Sequence, residues 1–211
     1  MIRNHKKKQL IKNQTTCCHS EYKPGNVLFR DKRSKRVIFV THCILNQNAM
    51  IDGLPSYPGV VREVVDMILA SDCSIIQFEC PELIYLGLDR KVDISSERTV
   101  ESEDSRIRVL MLKRPGKRCC QTLAKSAFYQ IEQYIRNRFT VVGVLGTNAS
   151  PTCGVETTWS EGKEIIGPGV FIRELQKICA KHKIEIQMHG INLKNPAEAI
   201  EVTRQLLNGL T

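Results

Sequence analysis

The chain has 211 residues, 42% of them hydrophobic and 25% charged, which is long and apolar enough to bury the core of one globular domain. No apolar run approaches the roughly 18 residues of a membrane helix. The basic start, HKKKQ followed by LIKNQTTCC, lacks the apolar segment of a secretory signal, so the expectation is a cytoplasmic protein with no membrane partner.

The formal charge of +9 is concentrated at one end: residues 1–36 carry 11 Lys and Arg against Glu21 and Asp31, while the other 20 bases meet 20 acids. The chain therefore divides into a basic arm over residues 1–35 and a single α/β domain over residues 36–211. A solvated, flexible tail is the plainer reading of such an arm, with salt-sensitive affinity for RNA as the alternative.

After the arm, RVIFVTHC (36–43) is a β-branched apolar run of strand length. The polar loop ILNQNAMIDGLPSYPG leads to VVREVVDMILAS, whose Val60, Val61, Val64, Val65, Ile68 and Leu69 recur at helical spacing. SIIQFEC (74–80) reads as a second strand, ended by Pro81. The polar stretch RKVDISSERTVESEDSRIR reads as a surface excursion able to fold over the site, and a helix is expected from about Cys119 to Arg138. FTVVGVLGT (139–147) has the composition of a strand covered on both faces. GPGVFIRELQKICAKH then reads as helix, IEIQMHGI as a fourth strand, and NPAEAIEVTRQLL as a last helix with Asn195 as its cap and Pro196 at its first position. Alternating strands and helices imply a mainly parallel sheet with helices on both faces.

Nine cysteines stand at positions 17, 18, 43, 73, 80, 119, 120, 153 and 179. Disulfides are rare in the cytosol, and no Cys-x-x-Cys pair marks a zinc knuckle. Sites on open parallel sheets form beyond the carboxyl ends of the strands. Cys43 and Cys80 close the first two strands, and Cys153 lies in the loop after the third, so neighbouring strands would bring these thiols to one crevice. The plainer reading of each is a small buried hydrophobe. Cys17, Cys18, Cys119 and Cys120 form adjacent pairs, and Cys73 and Cys179 suit core or helix positions.

Three segments, THCILNQNAMIDG, ECPELIYLGLDR and SPTCGVETTW, resemble in matching order the signature segments of the thiouracil desulfidase (TudS-like) family, in its TudS-related branch. The resemblance spans about residues 36–191, the polar stretch after Arg90 taking little part in it. It implies a Rossmann-like three-layer α/β fold and a 4Fe-4S cluster held by Cys43, Cys80 and Cys153, with one iron left without a protein thiolate. It also implies removal of sulfur from a thiolated small molecule by non-redox hydrolysis.

Such an iron is a Lewis acid for soft sulfur, which makes a thiocarbonyl carbon open to water. The proton transfers suit a carboxylate or hydroxyl. Glu82 and Ser150 match motif positions and are the catalytic candidates. Glu82 has plainer roles as a cap of the following helix or a partner of Arg90, and Ser150 as a bond within its own turn. Asp52, Asn46 and Trp159 are candidates for substrate binding, Trp159 and Tyr85 being aromatic surfaces for a ring. His42 adjoins Cys43, but strand alternation would turn it to the opposite face. Two competing readings remain: a cluster-free cysteine hydrolase with Cys153 as nucleophile and His42 or His189 as base, and a zinc- or RNA-binding module.

Overall fold

The structure, a computed structural model, describes residues 31–92 and 98–209. The chain divides into two units, Met1–Arg33 and Ser34–Thr211, and the fold below is that of the second. The expectation of a basic arm that is flexible or binds RNA falls almost wholly outside the described residues.

Four parallel strands form the central sheet in the order β2-β1-β3-β6: β1 Arg36–Val40, β2 Ser74–Gln77, β3 Thr140–Thr147 and β6 Met188–Ile191. Alternation along β1 explains why so short a strand is almost entirely apolar. Val37 and Phe39 enter one buried cluster with Val144 of β3, whereas Ile38 and Val40 enter another with Leu145. Two cores on two faces of one sheet make a three-layer, Rossmann-like α/β fold.

The helices divide accordingly. α2 (Arg62–Ala70) and α7 (Pro196–Asn208) cover the Ile38 face through Val64, Ile68, Ala199 and Leu206. On the Phe39 face lie α5 (Arg114–Arg136) and α6 (Val170–Lys181), contributing Ala124, Phe128, Phe171 and Leu175. The expected cap of α7 is present, the Asn195 side chain accepting from the Glu198 N–H at 3.3 Å. Leu69, counted in the apolar stripe of α2, is exposed instead.

Several boundaries differ from the sequence expectation. β1 stops at Val40, and Cys43 lies in a one-turn helix, α1 (His42–Leu45). β2 stops at Gln77, and Cys80 caps α3 (Pro81–Leu86), its Sγ accepting from the Leu83 N–H at 3.4 Å. The polar stretch after Arg90 is more than a surface excursion, because its second half belongs to α4 (Val100–Leu112), started by a capping box between Thr99 and Ser102. Its stripe was obscured because Glu103, Asp104 and Arg108 are buried beside Ile107 and Met111. A hairpin was also unforeseen: β4 (Thr157–Ser160) pairs antiparallel with β5 (Lys163–Ile166) across Glu161 and Gly162, both at positive φ.

Candidate active site

Because β1 sends the chain to β2 on one side and β3 lies on the other, the order of the sheet reverses at β1. The carboxyl ends of β1, β2 and β3 border that point, where parallel sheets open a crevice. A cavity of about 250 Å³ occupies it, lined by residues that follow all four strands of the sheet. Cys43, Cys80 and Cys153 are all in its wall, together with Glu82, Ser150 and Trp159. Asn46 and Asp52 are not in the lining. The Asn46 amide lies 3.2 Å from His42 Nε2, and Asp52 is exposed in the turn before Gly53, whose φ is 85°.

Each thiol is held by its own device. Cys43 Sγ is 3.3 Å from the Thr147 hydroxyl, at the end of the neighbouring strand. Cys80 is placed by capping α3. The Cys153 turn is built by Ser150, whose Oγ accepts from the backbone N–H groups of Cys153 (3.0 Å) and Thr152 (3.4 Å). The Asn148 Oδ1 faces the N–H groups of Val155, Glu156 and Thr157 at 3.2 to 3.4 Å and pins the segment that follows. Gly154 is required by close approach, since a Cβ there would strike the Thr157 carbonyl. From α4, the buried Arg108 donates to the Pro151 carbonyl at 2.9 Å and the Thr158 hydroxyl at 3.0 Å.

Burial is the first cause of the raised pKa of all three thiols. Cys80 is pushed up to about 12, with the Glu82 charge adding to burial. Cys43 is raised despite the Thr147 and Thr41 hydroxyls, and Cys153 is raised well above the usual thiol range, with Cys80 and Cys43 as its next contributors. The three sulfurs therefore feel one another, and the protein supplies too little positive charge to ionise them together. Among the described residues, no three His, Cys, Asp or Glu side chains converge closely enough to hold a single metal ion.

Glu82 stands at the centre of the polar wall. It accepts a hydrogen bond from the Thr152 hydroxyl and lies 3.4 Å from the Arg90 guanidinium. Arg90, only 1% exposed, also donates to the carbonyls of Ala49 (2.5 Å), Gly87 (2.6 Å) and Leu88 (3.2 Å). The Arg90–Glu82 pair, expected as the plain role for Glu82, is thus present, and both partners line the cavity. Asp104 and Lys194 also line it and were missed.

His42 faces the cavity rather than turning away, because it sits on a helix and not on a strand. Its ring nitrogens lie 3.2 Å and 2.9 Å from the Asn46 and Gln77 amides. His189 Nδ1 lies 3.4 Å from Glu156. Among the described residues, no histidine hydrogen-bonds Cys153 Sγ, so the cysteine hydrolase lacks its base. Tyr85 is outside the lining, with the Lys91 ammonium over its ring at 5.0 Å. Cys120 is buried in the core beneath the site, while Cys17 and Cys18 lie outside the described residues.

No protein-family model matches the chain. The uncharacterized protein MJ0003 of Methanocaldococcus jannaschii is 32% identical over 123 residues, which are 58% of this chain and 70% of the archaeal one. The chain belongs to the family of MJ0003. A solved structure, that of the [4Fe-4S]-dependent thiouracil desulfidase TudS, is 18% identical and matches over 80% of this chain and 99% of its own, at a TM-score of 0.42. Among the described residues, no helix is long and apolar enough to cross a membrane.

Proposed function

We propose that this protein, as a TudS-like enzyme of the TudS-related branch, is a desulfidase that hydrolyses the thiocarbonyl of a thiolated nucleobase or related small molecule and releases hydrosulfide, using a 4Fe-4S cluster held by Cys43, Cys80 and Cys153. One observation carries the reading: three thiols that follow three adjacent parallel strands share a single cavity with a carboxylate and a serine hydroxyl. The donor set suits the group. Three buried thiols that raise one another's pKa become thiolates readily only when a thiophilic cation offsets their charge.

Bound there, the cluster would supply a soft Lewis-acidic iron for the thiocarbonyl sulfur. The protein's own residues do the rest. At about 250 Å³ for cluster and substrate together, the cavity lies below the roughly 300–1,000 Å³ of pockets for drug-sized ligands and leaves room only for a small ring. Ile51, Leu54, Val100 and Leu193 form apolar walls, and Trp159 offers an aromatic one. Its indole N–H is anchored by the Glu101 carbonyl at 3.2 Å and the Ser105 hydroxyl at 3.1 Å.

Glu82, fixed by Arg90 and Thr152, takes a proton from the attacking water. Ser150, whose oxygen already accepts from two N–H groups, has its O–H left to donate to the substrate. A C–O bond forms and the C–S bond breaks with its electron pair on sulfur. One water proton leaves with the sulfur as hydrosulfide, and the other reaches solvent.

All seven described cysteines are free, in keeping with a reducing cytoplasm. The test is anaerobic purification, iron and acid-labile sulfide counting, and sulfide release from thiouracil, with the three single Cys→Ala variants beside the parent. Iron-free parent protein after reconstitution would defeat the cluster; a loaded but inactive protein, tried on thiolated bases and nucleosides, would defeat the activity.

A further inference from the structure

Asp104 lies on α4, in the polar stretch that takes little part in the family resemblance, and it lines the cavity. It is 8% exposed, yet no hydrogen bond or ion pair to a described residue engages its carboxylate. Its neighbours differ in this respect: Glu103 is bound by Arg106 at 2.8 Å, and Glu82 by Arg90 and Thr152. A largely buried side chain whose carboxyl oxygens have no partner among the described residues and open into a ligand-sized cavity is placed to meet whatever enters.

The geometry points to Asp104 as a second catalytic carboxyl, which exchanges a proton with the bound substrate while Glu82 serves the attacking water. The inference rests on the desulfidase reading for its chemistry. Hydrolysis of a thiocarbonyl takes two protons from one water. The first leaves as the C–O bond forms, and the second leaves the new hydroxyl as C=O forms and the C–S bond breaks. One returns on the sulfur as hydrosulfide. Glu82 accepts the first. Asp104 in its acid form donates to the departing sulfur, and the carboxylate left behind recovers its proton from the new hydroxyl. The other proton passes from Glu82 to solvent, so no oxidant or reductant is consumed.

The surroundings suit this role. Burial comes first, and the negative charges of Glu82 on α3 and of Glu101 and Glu103 on α4 follow, against a lowering effect from Lys194 after β6. Together they raise the Asp104 pKa to about 7. His42, Arg90, Glu164 and the thiols of Cys43, Cys80 and Cys153 complete the charged and titratable lining of the cavity. An acid that ionises near neutrality holds both of its forms at working pH, as proton exchange in both directions requires.

The test compares full-length, cluster-loaded parent with Asp104→Asn and Asp104→Glu, reading sulfide release from thiouracil across pH 5–9 and iron content. Asp104→Asn should lower kcat about 100-fold and abolish the pH limb near 7, with KM within about threefold and iron unchanged. Asp104→Glu should keep part of the rate and the limb. A parental rate and limb in Asp104→Asn would overturn the assignment. If parent releases no sulfide, the desulfidase reading fails by itself, and carboxyl ¹³C NMR with thiouracil decides on Asp104. A midpoint near 7 that moves with ligand, and is absent from Asp104→Asn, supports a proton-exchanging residue of the cavity; a midpoint near 4 or indifference to ligand overturns it.

Discussion

The Thr152 hydroxyl donates to the Glu82 carboxylate, and so ties the turn that carries Cys153 to the helix that Cys80 caps. Two of the three cysteine loops are thereby joined by a side-chain bond rather than by sheet hydrogen bonds. Thr152→Val keeps the volume and removes the donor. It should cost about 1–3 kcal/mol, since Glu82 is largely buried. In a double-mutant cycle with Glu82→Gln by urea denaturation, the two changes should be less than additive; full additivity would show that the bond is idle.

Arg90 places one buried cation among four acceptors, so its removal should be among the most damaging substitutions in the wall. Arg90→Met leaves Glu82 without its ion pair and the Ala49 and Leu88 carbonyls without a donor, with an expected loss of about 3–5 kcal/mol. Arg90→Lys should recover only part, because one ammonium cannot span the same fork. The shift in the urea midpoint at constant m-value is the measurement.

The cysteines should separate sharply by position. Cys43→Ala, Cys80→Ala and Cys153→Ala should each bring bound iron below about a tenth of the parent, since each removes a thiolate no neighbour replaces. Cys179→Ala, in the core of α6, should lose stability but not iron. Iron analysis beside circular dichroism distinguishes the two outcomes, and equal iron in all four variants would refute the ligand set.

Gly154→Ala tests the close approach in the Cys153 turn. The added methyl meets the Thr157 and Ser150 carbonyls, both backbone atoms that cannot rotate away. The expected cost is about 1–3 kcal/mol, read from thermal unfolding. A neutral outcome would mean that the turn is free to open.

The pH dependence of stability should carry the mark of Asp104. Its carboxyl ionises near pH 7 when folded and near 4 when unfolded, so the folded chain binds more protons in between. Asp104 therefore favours folding fully below about pH 4, and that contribution is lost as pH rises through about 7. Asp104→Asn should be more stable than the parent at pH 8 by on the order of 2–4 kcal/mol, and the difference should shrink toward pH 4. Paired denaturation curves at the two pH values provide the check.

What the sequence made legible was the frame. The apolar runs of β1 and β3 announce strands covered on both faces, and Asn195 with Pro196 announces the last helix. The rule of strand ends brought Cys43, Cys80 and Cys153 to one cavity even though β1 and β2 stop three residues before their cysteines. Less visible was whatever depended on burying charge. Asp104 and Arg108 interrupt the apolar stripe of α4, so a helix that walls the site looked like a polar loop. The signal for the β4–β5 hairpin was Glu161–Gly162 between two β-branched stretches, a short turn cue overshadowed by the cysteine upstream. Asn46 and Asp52 were close to Cys43 in sequence, but a one-turn helix and a tight turn carry them away from the lining.

The cavity draws its wall from chain segments between His42 and Lys194, with the loop after β6 supplying the last of them. During translation Cys43 and Cys80 emerge long before Cys153, and the strand that flanks β3 emerges later still. A nascent chain on the ribosome thus offers thiols without a pocket. If the chain holds the proposed cluster, its loading would be work for the finished polypeptide, after the final strand has docked.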